Sequence, residues 1–149
     1  MDMTLADLCK QLRVNGVYAY VQEYQPDNPE LNQFLTSALQ AELDKRHINR
    51  QMRLLRQAGF PTKKRFEDLV TDTLPQDGRD ALPVLKALTF ITERRNVILI
   101  GNSGTGKTHM AIAIGILACE ENYRVSFRTA AGLINEMVEA RNENRLSLY

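Results

Sequence analysis

Residues Gly101-Asn102-Ser103-Gly104-Thr105-Gly106-Lys107-Thr108 follow directly on the apolar run Val97-Ile98-Leu99-Ile100. No other stretch constrains the chain so tightly. Its glycines let backbone N–H groups turn inward around anionic oxygens, where a side chain would block the anion or forbid the backbone angles. The spacing is that of a phosphate-binding loop, which needs a strand before it and a helix after it. Asn96 to Ile100 fits the strand, and Ala111, Ile112, Ile114, Gly115 and Leu117 fit the helix. Lys107 is then placed to reach the β- and γ-phosphates of a nucleoside triphosphate, and Thr108 to offer its hydroxyl to Mg²⁺. The positive dipole end of the following helix, starting near Gly106, points at the same phosphates. The plainer alternative is a glycine-rich turn in an unrelated α/β unit.

The whole chain sets broad limits on that reading. At 149 residues and 44% hydrophobic content it can build one ordinary domain with a true core. No stretch approaches the roughly 20 apolar residues that span a bilayer, and the start Met1-Asp2-Met3-Thr4 is acidic, without a signal-peptide pattern. A cytoplasmic protein is expected. Cys9 and Cys119 fall in separate helical patterns without metal-ligand spacing, which predicts reduced core thiols. The net charge of +1 hides an uneven distribution. Residues 1–35 carry a net −3, residues 36–66 a net +6, and the remainder a net −2. Such a local excess of one sign is what a phosphate backbone or an acidic partner requires.

Thr4 predicts the cap of a short helix through Leu5, Leu8 and Leu12. A second helix is expected over Val17 to Tyr24, with Tyr18, Tyr20 and Tyr24 serving either as packing or as a stacking surface for nucleic acid. After the break at Gln25–Pro29, one long helix is expected over residues 30–58, stopped by Gly59 and Pro61. Arg46, Arg50 and Arg53 stand four and three apart on that helix and so share a face, with Lys63, Lys64 and Arg65 following. That face is either solvated or a contact for DNA phosphates. Residues 67–80 read as an irregular linker between a helical module, residues 1–66, and a nucleotide-binding domain, residues 81–149. In the latter a helix is expected from Asp80 to Glu93, then strands at Asn96–Ile100 and Arg124–Arg128 around the loop helix, and a helix capped by Thr129 before the polar end Arg141–Tyr149. The expected fold class is α/β: a helical N-terminal module followed by the opening of a three-layer P-loop domain with a parallel sheet.

The stretch from Asn96 through the loop to His109-Met110-Ala111 resembles the IstB-like helper ATPases of bacterial insertion sequences, relatives of the DnaC helicase loader within the AAA+ class. Ala58-Gly59-Phe60-Pro61 with Lys63, Leu88 to Phe90, Tyr123 to Phe127, and Thr129-Ala130-Ala131 with Leu133 extend the resemblance to residues 17–149. It implies a protein that binds ATP and Mg²⁺, oligomerises with its own kind, binds DNA and serves a transposase. Gly101, Gly104, Gly106 and Lys107 would lie on phosphates, with Asn102, Ser103 and Thr105 beside them and Thr108 on the metal. His109 is either a further site residue or a helix residue facing the sheet or solvent. Arg46, Arg50, Arg53, Lys63 and Lys64 are DNA candidates by charge and position, fixed by no family motif.

The sequence departs from the family in one respect. AAA+ hydrolysis needs an apolar strand ending in paired acids, a polar sensor and an arginine from a neighbouring subunit. After residue 128 no apolar run ends in paired acids: Glu120-Glu121 closes one helix, and Glu136, Glu139 and Glu143 belong to another. The chain is therefore expected to be the N-terminal portion of a larger ATPase, binding nucleotide weakly. The 149-residue protein is predicted to show no ATP turnover above a Lys107→Ala control; turnover abolished by that substitution would refute this. A replicative helicase loader and a non-enzymatic DNA-docking or oligomerisation module remain as alternatives.

Overall fold

A computed structural model describes residues 3–25 and 27–143. Pro26 in the expected break, the first two residues and the polar end 144–149 lie outside the described residues. The chain divides into two compact units, Met1–Arg50 and Gln51–Tyr149.

In the first unit, α1 (Leu5–Leu12) starts where Thr4 predicts. The Thr4 hydroxyl accepts from the Asp7 N–H at 3.2 Å while the Asp7 carboxylate accepts from the Thr4 N–H at 3.2 Å, a reciprocal capping box. The Thr4 hydroxyl also donates to the Asp7 carboxylate at 2.6 Å, and this bond, followed by the one from the Thr4 N–H, holds the Asp7 carboxyl below its usual range. Leu8, Cys9 and Leu12 are buried on one face, and Val21 is the buried residue of α2 (Asn15–Tyr24). Tyr20 and Tyr24 lie outside that core, exposed, with ring centroids 4.6 Å apart. The Asn28 side chain accepts from the Leu31 N–H at 3.0 Å and opens α3 (Pro29–Gln57).

The second unit is built around one helix. After a 3₁₀ turn at Thr71–Thr73 come α4 (Gln76–Ala87), the short α5 (Thr89–Thr92), α6 (Lys107–Glu120) and α7 (Ala130–Asn142). Helix α6 is apolar nearly all round, and a helix of that kind must be covered on more than one side. On one side Met110 and Ala113 pack with Phe66, Leu74 and Leu85; on another, Cys119 packs with Leu54 and Ala58. Phe60 lies so close over Gly115 that a Cβ there would stand 2.7 Å from its ring. Burial, and secondarily the neighbouring Glu120 charge, pushes the Cys119 thiol up. Ile112 is 1% exposed. Ile112→Ala is expected to destabilise the protein by about 2–4 kcal/mol in urea unfolding, since the neighbours of a packed helix collapse only partly into the space left.

The expected parallel sheet is not formed. Among the described residues there is no strand: residues 96–100 and 124–128 belong to no regular element, and the architecture is helical, not three-layer α/β. A strand exists only where a second backbone runs beside it, and an apolar run records a tendency toward burial without supplying that neighbour. Ile98 and Ile100 are 79% and 90% exposed, and from this run Leu99 packs against the cluster between α4 and α6. The other segment is held elsewhere. The Phe127 N–H donates to the Ala58 carbonyl at 2.7 Å, and Val125 packs beside Leu54 and Cys119. Helix α4 also begins at Gln76, ahead of the expected Asp80 start, with Pro75 at its N-cap and Gln76 donating to Asp80 at 2.8 Å. Leu88, at φ 53°, ends it before the expected Glu93.

Candidate functional site

The loop is shaped by its glycines and by a lysine folded back over it. Gly104 and Gly106 stand at φ 83° and 81°, the left-handed region where a Cβ is penalised. Gly106 is the N-cap of α6 and no side chain caps that end, so its first N–H groups are free to face an anion. The Lys107 ammonium donates to the Asn102 carbonyl and to the Thr105 hydroxyl, the latter at 3.4 Å, while the Thr105 hydroxyl donates to the same carbonyl at 2.9 Å. A positive group is thereby pinned to the loop itself. Gly101, Asn102, Ser103, Gly104 and Thr108 are exposed, whereas Thr105, Gly106 and Lys107 are half-buried.

A cavity of about 310 Å³ opens beside the loop, lined by Thr105 and Lys107 together with Leu74, Pro75, Ala81 and Met110. From the sequence Pro75 falls within the irregular linker expected over residues 67–80. Its place in the wall depends on where α4 starts, which no local signal announces. Gly106 is enclosed from the same direction, since a Cβ there would meet Leu69 and Leu74 at 3.7 and 3.8 Å.

The remaining candidates are not gathered at the loop. The His109 ring turns to the Arg65 carbonyl, with Nε2 at 2.8 Å. Arg46 belongs to the first unit and is engaged there, paired with Glu42 at 2.7 Å and donating to the Leu12 carbonyl at the end of α1 at 3.2 Å. Arg50 in the same unit, and Arg53 and Lys63 in the second, are exposed and pair with no acid among the described residues. Lys64 is half-buried. Arg65 forms an ion pair with Glu120 at 2.6 Å, a partnership across the sequence that spacing does not reveal.

Among the described residues no helix is long and apolar enough to cross a membrane, and no cluster of His, Cys, Asp and Glu could hold a metal ion. Comparison with known proteins is consistent across the chain. The family model described as IstB-like ATP binding protein matches residues 5–148. A protein of insertion sequence IS21 from Pseudomonas aeruginosa, whose name assigns it ATP binding, is 40% identical over 119 residues, covering 78% of this chain and 45% of its own length. Similarly named proteins of IS5376 from Geobacillus stearothermophilus and IS232 from Bacillus thuringiensis are each 29% identical, over 119 and 105 residues, covering 80% and 70% of this chain. The chain spans less than half the length of these relatives: 45%, 47% and 42%. The loop stands at the head of a buried helix, and the match runs through nearly every described residue: the chain belongs to the family of IstB-like ATP binding proteins.

Proposed function

We propose that this chain is an ATP- and Mg²⁺-binding helper of insertion-sequence transposition, acting in the cytoplasm, contacting DNA and serving a transposase. The observation that carries the reading is the grip at the head of α6: left-handed glycines, an uncapped helix N-terminus and the Lys107 ammonium held over the loop. Backbone N–H groups from Gly104 to Thr108 receive phosphate oxygens, and Lys107 exchanges the Asn102 carbonyl for the β- and γ-phosphates. Thr108 is exposed in the first turn of α6, where its hydroxyl suits a cation shared with the phosphates. Mg²⁺ bound there would neutralise phosphate charge. The insertion-sequence names of the relatives favour a transposase over a replicative helicase as the partner. Self-association through copies of the same chain belongs to this reading.

DNA contact is assigned to the net +6 segment, whose candidates are Arg46, Arg50, Arg53, Lys63 and Lys64. The test is a titration of the chain with a fluorescent ATP analogue and Mg²⁺, followed by a labelled DNA duplex at low salt. Saturable binding of both is expected. Nucleotide binding without any salt-sensitive DNA binding would remove the DNA assignment and leave the loop's, whereas no binding at millimolar nucleotide would remove the loop's.

A further inference from the structure

His109 lies two residues beyond Lys107, in the first turn of α6, and its ring is spent on a backbone group 44 positions earlier in the chain. The acceptor is the Arg65 carbonyl, at the end of the basic run Lys63-Lys64-Arg65. A carbonyl only accepts, so Nε2 carries the hydrogen. The same carbonyl accepts from the Asp68 N–H at 3.3 Å, and the Arg65 N–H donates to the Asp68 carboxylate at 3.1 Å, closing a small turn over buried Phe66. At the other end of α6, Glu120 takes the Arg65 guanidinium at 2.6 Å and its carbonyl accepts from the Gln51 amide at 2.6 Å. Arg65 is thus fastened to both ends of the loop helix, by its carbonyl to the first turn and by its side chain to the last.

We propose that His109 is a positioning residue that ties the basic run Lys63–Arg65 to the nucleotide-gripping end of α6, so that occupancy of the loop and order in the basic run rise together. The coupling rests on the nucleotide reading of the loop; the tie itself does not. Phosphates seated on the first N–H groups of α6 fix the turn that carries His109, and His109 passes that restraint to the turn at Arg65–Asp68. Linkage then requires the converse, that a phosphate backbone held by Lys63 and Lys64 tightens the loop's grip on nucleotide.

Two substitutions of like chemistry but different reach separate this from simple packing. The amide nitrogen of Gln in His109→Gln stands near the place of Nε2, while in His109→Asn it stops near Nδ1. Hydrogen exchange of the full chain without nucleotide is expected to be roughly twofold to tenfold faster at the Arg65 and Asp68 amides in His109→Asn than in the parent, the range that follows from losing one ordinary hydrogen bond. His109→Gln should match the parent. Equal exchange in the Asn and Gln variants would overturn the tie. On adding Mg²⁺ and a slowly hydrolysed ATP analogue, the amides of 101–108 should slow in all three proteins, and those of Arg65 and Asp68 should slow further only in the parent and His109→Gln. Protected loop amides with unmoved Arg65 and Asp68 amides in the parent reject the coupling alone. Unprotected loop amides reject the coupling together with the nucleotide site, and the nucleotide-free comparison still decides the tie.

Discussion

Replacing Lys107 by alanine is expected to weaken binding of Mg²⁺·ATP by about ten- to a hundredfold, the loss that corresponds to charge-assisted hydrogen bonds of roughly 1.5–3 kcal/mol. The side chain donates to groups of its own loop, the Asn102 carbonyl and the Thr105 hydroxyl, so its removal takes little from the core beneath. The urea midpoint should therefore move by less than about 0.5 kcal/mol equivalent, as for surface substitutions generally. That separation of binding from stability is the useful part of the result. Fluorescence anisotropy with a labelled ATP analogue measures the first and urea unfolding the second. Unchanged affinity in Lys107→Ala would mean that the ammonium does not serve phosphates and that the loop is structural.

The second large effect concerns DNA. Each phosphate contact removed lowers the slope of log affinity against log salt by about 0.9, so Arg50→Ala with Arg53→Ala should flatten it by about 1.8. Between 50 and 200 mM salt, that is an about tenfold smaller loss of affinity. Adding Arg46→Ala should change the slope little more. Although the three arginines share a helix face by their spacing, Arg46 is already committed to Glu42 and to the Leu12 carbonyl, and a phosphate would have to displace both. A triple variant that flattens the slope by about 2.7 would show that Arg46 leaves those partners for DNA. An unaltered slope would make the whole face a solvated one.

Local signals were legible wherever bond geometry alone sets them. Thr4 and Thr129 both cap helices through their side-chain oxygens, and Gly59, at φ 73°, follows the end of α3. The loop glycines adopt the angles that only glycine takes without cost, and the cysteines are buried. The two segments of strand-like pattern failed for a different reason. Alternation in Val125 and Phe127 shows which side chains turn inward, and they do, but toward the end of α3 and Phe60 rather than into a sheet. The run at Ile98 and Ile100 has the composition of a buried strand, but among the described residues it pairs into no sheet. Pattern reports what a segment can bury. It does not report what will cover it.

By itself the sequence determined the backbone conformation of the loop glycines, the place of the helix behind them, the concentration of positive charge between residues 36 and 66, and the resemblance that the family match bears out. Each follows from residue type and short spacing, since phosphate geometry, helical period and side-chain charge act over a few residues. Only the tertiary structure decided that, among the described residues, no sheet forms, that Arg46 is engaged while Arg50 and Arg53 pair with no acid, and that His109 serves the Arg65 carbonyl. Those outcomes join groups tens of residues apart. The physical reason is that such partnerships depend on which packed surfaces meet within each unit, and the order of residues along the chain does not specify which those will be.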